Sequence, residues 1–209
     1  MKHEWRKAEK AIYLPKGIEI VDIPSYSFLI LDGEGDPNSE MFASQIEALY
    51  SVSYSIRMML KKGITGESFI YTVYPLEDVW TTEDGSKDES LNKDQLVYRI
   101  MIRQPEQVTE SIVSEAIEQT LKKKDNPYIN QLKFETYTDG RSIQMIHTGS
   151  FDTEVQSFRQ MNVFLETTEY ERDWLMGDFV HREIYLSDAR RVVPEKRKTL
   201  LRYKLKKKN

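Results

Sequence analysis

The 209-residue chain contains no cysteine, only three histidines, nine glycines and seven prolines. It has no apolar run near the roughly 20 residues that a membrane-spanning helix needs. Each shortage excludes a class of chemistry. Without cysteine there is neither a disulfide framework nor a thiolate nucleophile, and His3, His147 and His181 alone make a poor zinc site. Gly33-Glu34-Gly35 lacks the third glycine of a dinucleotide loop and runs into Pro37, and no Gly-x-Ser-x-Gly elbow occurs. No basic helix-turn-helix segment stands out, so neither a kinase nor a DNA reader is expected. The start, Met1-Lys2-His3-Glu4, lacks the apolar core of a secretory signal, which sets the expectation of a cytoplasmic protein with no cofactor and no membrane association.

What is present is a globular composition, 39% hydrophobic and 31% charged, with an uneven charge distribution. Residues 190–209 hold ten Lys or Arg against the single Glu195, so the formal net charge of −4 hides an acidic body. Such a body disfavours phosphate backbones and favours cationic ligands. The terminal Lys206-Lys207-Lys208 reads as a solvated end.

The pattern alternates short strands with amphipathic helices. Ser27–Leu31 reads as a strand, Ser39–Lys62 as a helix with Phe42, Ile46, Leu49, Ile56 and Leu60 on one face and Gly63 as its stop, and Phe69–Tyr74 and Leu96–Arg103 as strands flanking a polar loop from Thr81 to Lys93. Pro105–Lys124 reads as a connecting helix. Lys133–Tyr137 and Ser142–His147 read as a hairpin around Asp139-Gly140. Gly149-Ser150-Phe151-Asp152 then echoes Gly33-Glu34-Gly35-Asp36, followed by a helix carrying Val155, Phe158, Met161 or Asn162 and Leu165, and by strands at Phe179–Leu186 and Leu200–Leu205. The spacing predicts an α+β fold of two pseudo-twofold-related strand-helix-strand-strand units. They share an antiparallel sheet with helices on one side and a central groove, in one domain spanning residues 1–209. The units run from about 26 to 104 and 132 to 206, joined by a helix at about 105–125.

The strand Phe179–Leu186 carries the most chemistry. Alternation places Phe179, His181, Glu183 and Tyr185 on one face. A carboxylate beside aromatic walls is poorly solvated, which suits it to hold a lipophilic cation or to exchange a proton in general acid/base catalysis. A glutamate tied to a neighbouring strand or paired with an arginine satisfies the same pattern. Tyr71, Tyr74, Trp80, Tyr98, Tyr137 and Trp174 lie on strands or adjoining loops, where they can build aromatic walls or simply pack. Tyr50, Tyr54, Arg57 and Met58 form a second stripe on the first long helix, read as packing.

The segments Met1–Pro15, Leu31–Asn38, Ile46–Tyr54, Tyr74–Trp80 and His181–Asp188 together resemble the stand-alone GyrI-like small-molecule-binding proteins, over nearly the whole chain. The resemblance implies paired strand-helix-strand-strand units around a groove. It implies a cytoplasmic binder of lipophilic, often cationic aromatic or polycyclic molecules or, alternatively, a hydrolase that opens the cyclopropane ring of cyclopropanoid genotoxins. A protein partner such as gyrase is a third implication, from the family's namesake. Carried over by position, Glu183 matches the family's glutamate, Glu154 a second acidic position, and Trp80 the first residue of a frequent Trp-Trp pair whose second position here is Thr81. Arg182 stands where a second histidine is common, and Ser150 where proline is. Together with the residues read from the strands and loops, the candidate catalytic set is Glu183, Glu154 and Tyr137, and the candidate ligand-binding set is Glu183, Tyr185, Trp80, Tyr71, Trp174, Tyr98 and His181, with no metal.

Overall fold

The computed structural model describes residues 2–82 and 96–208. Two short helical turns, α1 (Trp5–Ala8) and α2 (Lys10–Tyr13), precede β1 (Glu19–Glu34), α3 (Glu40–Lys61), β2 (Leu76–Thr82) and β3 (Leu96–Gln104). After α4 (Glu110–Leu121) come β4 (Lys133–Thr148), α5 (Glu154–Glu166), β5 (Tyr170–Asp173), β6 (His181–Tyr185) and β7 (Lys198–Lys207). From position 83 on, the expected polar loop lies outside the described residues.

Local chemistry explains the long helices. Ser39 Oγ accepts the Phe42 N–H to cap α3. Its end is a Schellman motif: Gly63, at φ +79°, donates to Leu60 O, and Ile64 donates to Met59 O. Thr109 Oγ1 caps α4. That helix begins at Glu110 rather than Pro105, because Pro105–Val108 closes a separate turn through Val108 N–H to Pro105 O.

Every strand pair is antiparallel, and the pairings close on themselves: β1 joins β3, β3 joins β2, β2 joins β6, β6 joins β7, β7 joins β4, and β4 returns to β1. The fold is α+β. In each half the first strand pairs with the last, and the last with the middle one: β1–β3–β2 and β4–β7–β6. The junctions β1–β4 and β2–β6 join equivalent strands, which is the pseudo-twofold pattern written into the topology. Leu29, Leu31, Leu49, Ile56, Ile100 and Ile102 pack between the sheet and α3 and α4, while Met161 and Leu165 of α5 pack on Ile143, Leu201 and Tyr203. Phe28, Ile30, Val79 and Met101 face the other way, into the ring.

Two expectations need correction. Phe69–Tyr74 is not a ladder strand: its partner is the amino-terminal arm at the single bridge His3–Tyr71, and β2 starts only after Pro75, which has no N–H to donate. Asp139-Gly140 is not a hairpin turn, since β4 runs through it for 16 residues. Gly140, at φ +67°, instead changes which side the chain presents. Asp139 and Gln144, of opposite parity, both point into the ring and hold Arg182 and Arg202, which oppose each other across β6 and β7. The basic end is solvent-exposed, as read, but it is the end of β7 rather than a free tail. Lys206 and Lys207 pair with Glu171 and Glu169, and Lys208 Nζ donates to the carbonyls of Leu165, Glu166 and Thr168 at the end of α5. No helix among the described residues is long and apolar enough to cross a membrane.

Candidate functional site

Between α3, α5, the amino-terminal arm and the outer face of β2 and β6 lies an open groove of about 2070 Å³. Trp80, His181, Glu183 and Tyr185 line it from the sheet, Glu154 and Phe158 from α5, and Tyr50 and Tyr54 from α3. The sheet register creates its chemistry. Asp78 and Glu183 face each other directly across β2 and β6, and Trp80 faces His181 one step along. Alternation sends Arg182, the cation nearest in sequence, to the opposite side of β6, where it forms a bidentate pair with Asp139 at 3.0 Å and a bond to Glu77 at 2.9 Å. Among the described residues, Glu183 is therefore not paired with an arginine. His181 Nε2 lies 2.9 Å from its Oε1, and the Tyr185 hydroxyl lies 3.0 Å from its Oε2.

The same hydroxyl donates to Asp78 Oδ2 at 2.5 Å. Asp78 is wholly buried and its Oδ1 has no hydrogen-bond partner. Burial, and then the charge of Glu183, push its carboxyl well above the usual range. The Trp80 indole N–H beside it tempers that rise without completing a good hydrogen bond. Glu154 enters at the first turn of α5, 5% exposed, with Oε1 unpartnered. Burial and the neighbouring Glu183 push its carboxyl up to about 10. Burial beside Asp78 and Glu183 raises the Tyr185 phenol well above its ordinary value. The site thus holds three carboxyls, and burial beside Glu183 favours the protonated form of both Asp78 and Glu154.

Aromatic rings enclose the cluster. Phe158 lies 4.7 Å from the His181 ring, Phe151 meets Tyr185 edge-on at 5.7 Å, and Phe42 stacks on Trp80 at 6.2 Å. Such walls around an unpaired acid suit a flat or bulky cation. Among the described residues no group of histidines and carboxylates is placed to hold a metal ion.

A model of the GyrI-like small-molecule-binding domain matches residues 17–206. The chain belongs to the GyrI-like family. Its similarity to solved GyrI-like folds is close. An uncharacterized conserved protein from Listeria innocua is 36% identical with a TM-score of 0.89, covering 98% of this chain and all of that one. A hydrolase encoded by lin2189 of the same organism is 33% identical with a TM-score of 0.85, over 99% of this chain and all of that one. A second Listeria innocua hydrolase is 32% identical at 0.83, again with 98% and complete coverage. No functionally curated protein matches the chain significantly.

Within this GyrI-like groove the residues singled out from sequence separate clearly. Glu183, Glu154, Tyr185, Trp80 and His181 come together. Tyr98 lies behind Trp80, fully buried, with its hydroxyl donating to Gln45. Tyr71 is buried in the core against Phe69. Tyr137 accepts from Arg99 and contacts Glu135 on the ring-facing side, beside Phe28 and Phe179, so it cannot assist Glu183. Trp174 is half exposed and is not among the residues lining the groove. Phe179 also departs from expectation. The Leu175–Phe179 bridge turns the chain just before β6, so alternation starts only at His181 and Phe179 packs inside the ring.

Asp78 escaped sequence reasoning because Glu77-Asp78 reads as an ordinary acidic pair, and only the pairing of β2 with β6 shows which of the two lies against Glu183, buried behind the groove lining. Tyr50 and Tyr54, read as packing, line the groove with their rings stacked at 6.2 Å, and Tyr54 is 51% exposed.

Proposed function

We propose that this protein binds lipophilic cations in the aromatic groove, with Glu183 meeting the positive charge. The observation that carries the reading is a cluster of three carboxyls at an aromatic-walled groove, paired with no lysine or arginine among the described residues, with Asp78 Oδ1 and Glu154 Oε1 left without partners. Leaving such groups buried and unsatisfied costs stability, and a cationic ligand offsets that cost. Ring faces supply the non-polar contacts and part of the cation attraction. Glu183→Gln keeps the hydrogen-bonding shape of the side chain while removing its charge. Fluorescence titration with a cationic dye such as ethidium is expected to show affinity falling about tenfold or more, equivalent to ~1.4 kcal/mol, with the circular dichroism spectrum unchanged. Unchanged affinity sinks the role given to Glu183.

A second reading is hydrolysis, favoured by full-length similarity to two hydrolases, with an electrophilic cyclopropane as the substrate that the family resemblance implies. Glu183 takes a proton from water as the oxygen bonds to a ring carbon. The strained carbon–carbon bond breaks, and protonated Glu154 returns a proton to the leaving end, so the product is substrate plus one water. Mass spectrometry after incubation with a cyclopropanoid alkylating agent tests this. A water adduct formed by the native chain and lost in Glu183→Gln supports turnover, and recovery of unreacted compound limits the site to binding.

A further inference from the structure

The three carboxyls also pose a counting problem in protons. Tyr185 has one hydroxyl proton and two carboxyl contacts, to Asp78 at 2.5 Å and to Glu183 at 3.0 Å. A single proton must be shared between the two contacts unless a carboxyl supplies a second one. Asp78 and Glu183 are directly opposed on adjacent strands, and Glu154 approaches the same pair from α5. Like charges that close and that buried cannot all persist.

Among the described residues, no lysine or arginine of the surrounding elements is paired with the cluster. On β6, His181 serves Glu183, while Arg182 is committed to Glu77 and Asp139 inside the ring. On β7, Thr199 touches Glu154, Tyr203 carries no charge, and Arg202 is bound to Gln144 and Ile12 O. On β4, His147 is held by Ser157 and Ser150 O. Before β7, Arg197 is held by the carbonyls of Val192 and Ala189, with its guanidinium 5.5 Å from the Phe151 ring centre. Asp152, ahead of α5, adds a further acid to the lining. With no cation placed against them, the Asp78 and Glu154 carboxyls favour their protonated forms.

We propose that the groove exchanges protons for cations: an entering positive charge expels a proton from the Asp78–Glu183–Glu154 cluster to solvent, and a ligand with a second positive charge expels more. This rests on the cation-binding reading above and adds the charge class of the ligand and the pH dependence of its uptake. The sign follows from linkage. The empty site holds its protons well above the ordinary carboxylate range, Glu154 to about 10, and an adjacent bound cation lowers that affinity. Between the two values binding releases protons and affinity rises with pH, by up to about tenfold per pH unit for each proton released.

Ethidium and propidium share a planar ring system, and propidium carries one additional quaternary ammonium. Isothermal titration calorimetry of the intact chain at pH 8, in phosphate and in Tris, reads the protons released from the buffer dependence of the binding enthalpy. The expected result is measurable release with ethidium, greater release with propidium, and affinities for both that rise from pH 6 to pH 9. In Glu154→Gln, and separately in Asp78→Asn, the proton count falls. Binding with no buffer dependence for either dye, or a proton count unchanged in both variants, overturns the exchange while leaving cation binding standing. Absence of binding by either dye overturns both.

Discussion

Glu154 shows how one buried carboxyl sets a pH-dependent cost. In the unfolded chain it loses its proton near the ordinary value of 4.5, whereas in the folded chain it keeps it to about 10. The folded state therefore binds more protons across that window, so this residue makes the protein less stable as pH rises from about 4.5 towards 10. Glu154→Gln, which cannot ionise, is expected to melt higher than the native chain by a margin that widens from pH 5 to pH 9. The widening amounts to up to about 1.4 kcal/mol per pH unit. A margin that stays constant or shrinks in thermal melts across that range contradicts the assigned burial. Glycines matter at this scale only where geometry demands it. A Cβ on Gly33 would lie 2.3 Å from the Tyr98 ring, so the bare backbone lets that ring lie flat across β1 and reach Gln45. At Gly149, φ is +151° and a Cβ would meet Thr153 and His147 at under 3 Å.

At the scale of elements, periodicity served the helices well and the strands unevenly. The face of α3 was legible from Phe42, Leu49, Ile56 and Leu60, because a long helix exposes its buried stripe at a constant interval, and Ser39 and Gly63 marked its ends. On α5 the buried stripe is Glu154, Ser157, Met161 and Leu165 rather than one through Val155 and Phe158. Hydropathy counts a buried glutamate as polar and so rotates the inferred face towards the groove. Strands failed where local signals were read without partners. Asp139-Gly140 carries strong hairpin chemistry, yet β1 and β7 hold the chain extended through it. Phe69–Tyr74 alternates well but finds only one residue of the amino-terminal arm to pair with. The strand bearing Glu183 was recognised, and its usable face began two residues later than alternation suggested, because a tight turn precedes it.

For the whole molecule, closure of the sheet divides its charges between two compartments. The ring interior takes Arg182, Arg202, Glu77 and Asp139, where cations and carboxylates offset one another. Outside the ring, Asp78, Glu154 and Glu183 have no guanidinium or ammonium partner among the described residues. Arg182→Met fills similar space but leaves Glu77 and Asp139 facing each other without their shared cation. It is expected to cost about 3–5 kcal/mol, read as a lower urea midpoint, with a further Glu77→Gln substitution recovering part of the loss. No recovery in the double variant means that the network is not balanced through Arg182.

The sequence by itself determined the class of the fold, its two similar halves, the helix faces set by a regular period, and the candidacy of Glu183 among aromatic neighbours, all of which depend on residues near one another in the chain. Tertiary structure alone decided the members of the site. It recruited Asp78, Phe151, Tyr50 and Tyr54, and it placed Tyr137, Trp174, Tyr71 and Tyr98 elsewhere. The reason is physical: a strand's two faces are equivalent until its neighbours are known, and only the register of β2 against β6, with α5 laid across them, specifies which side of each becomes groove.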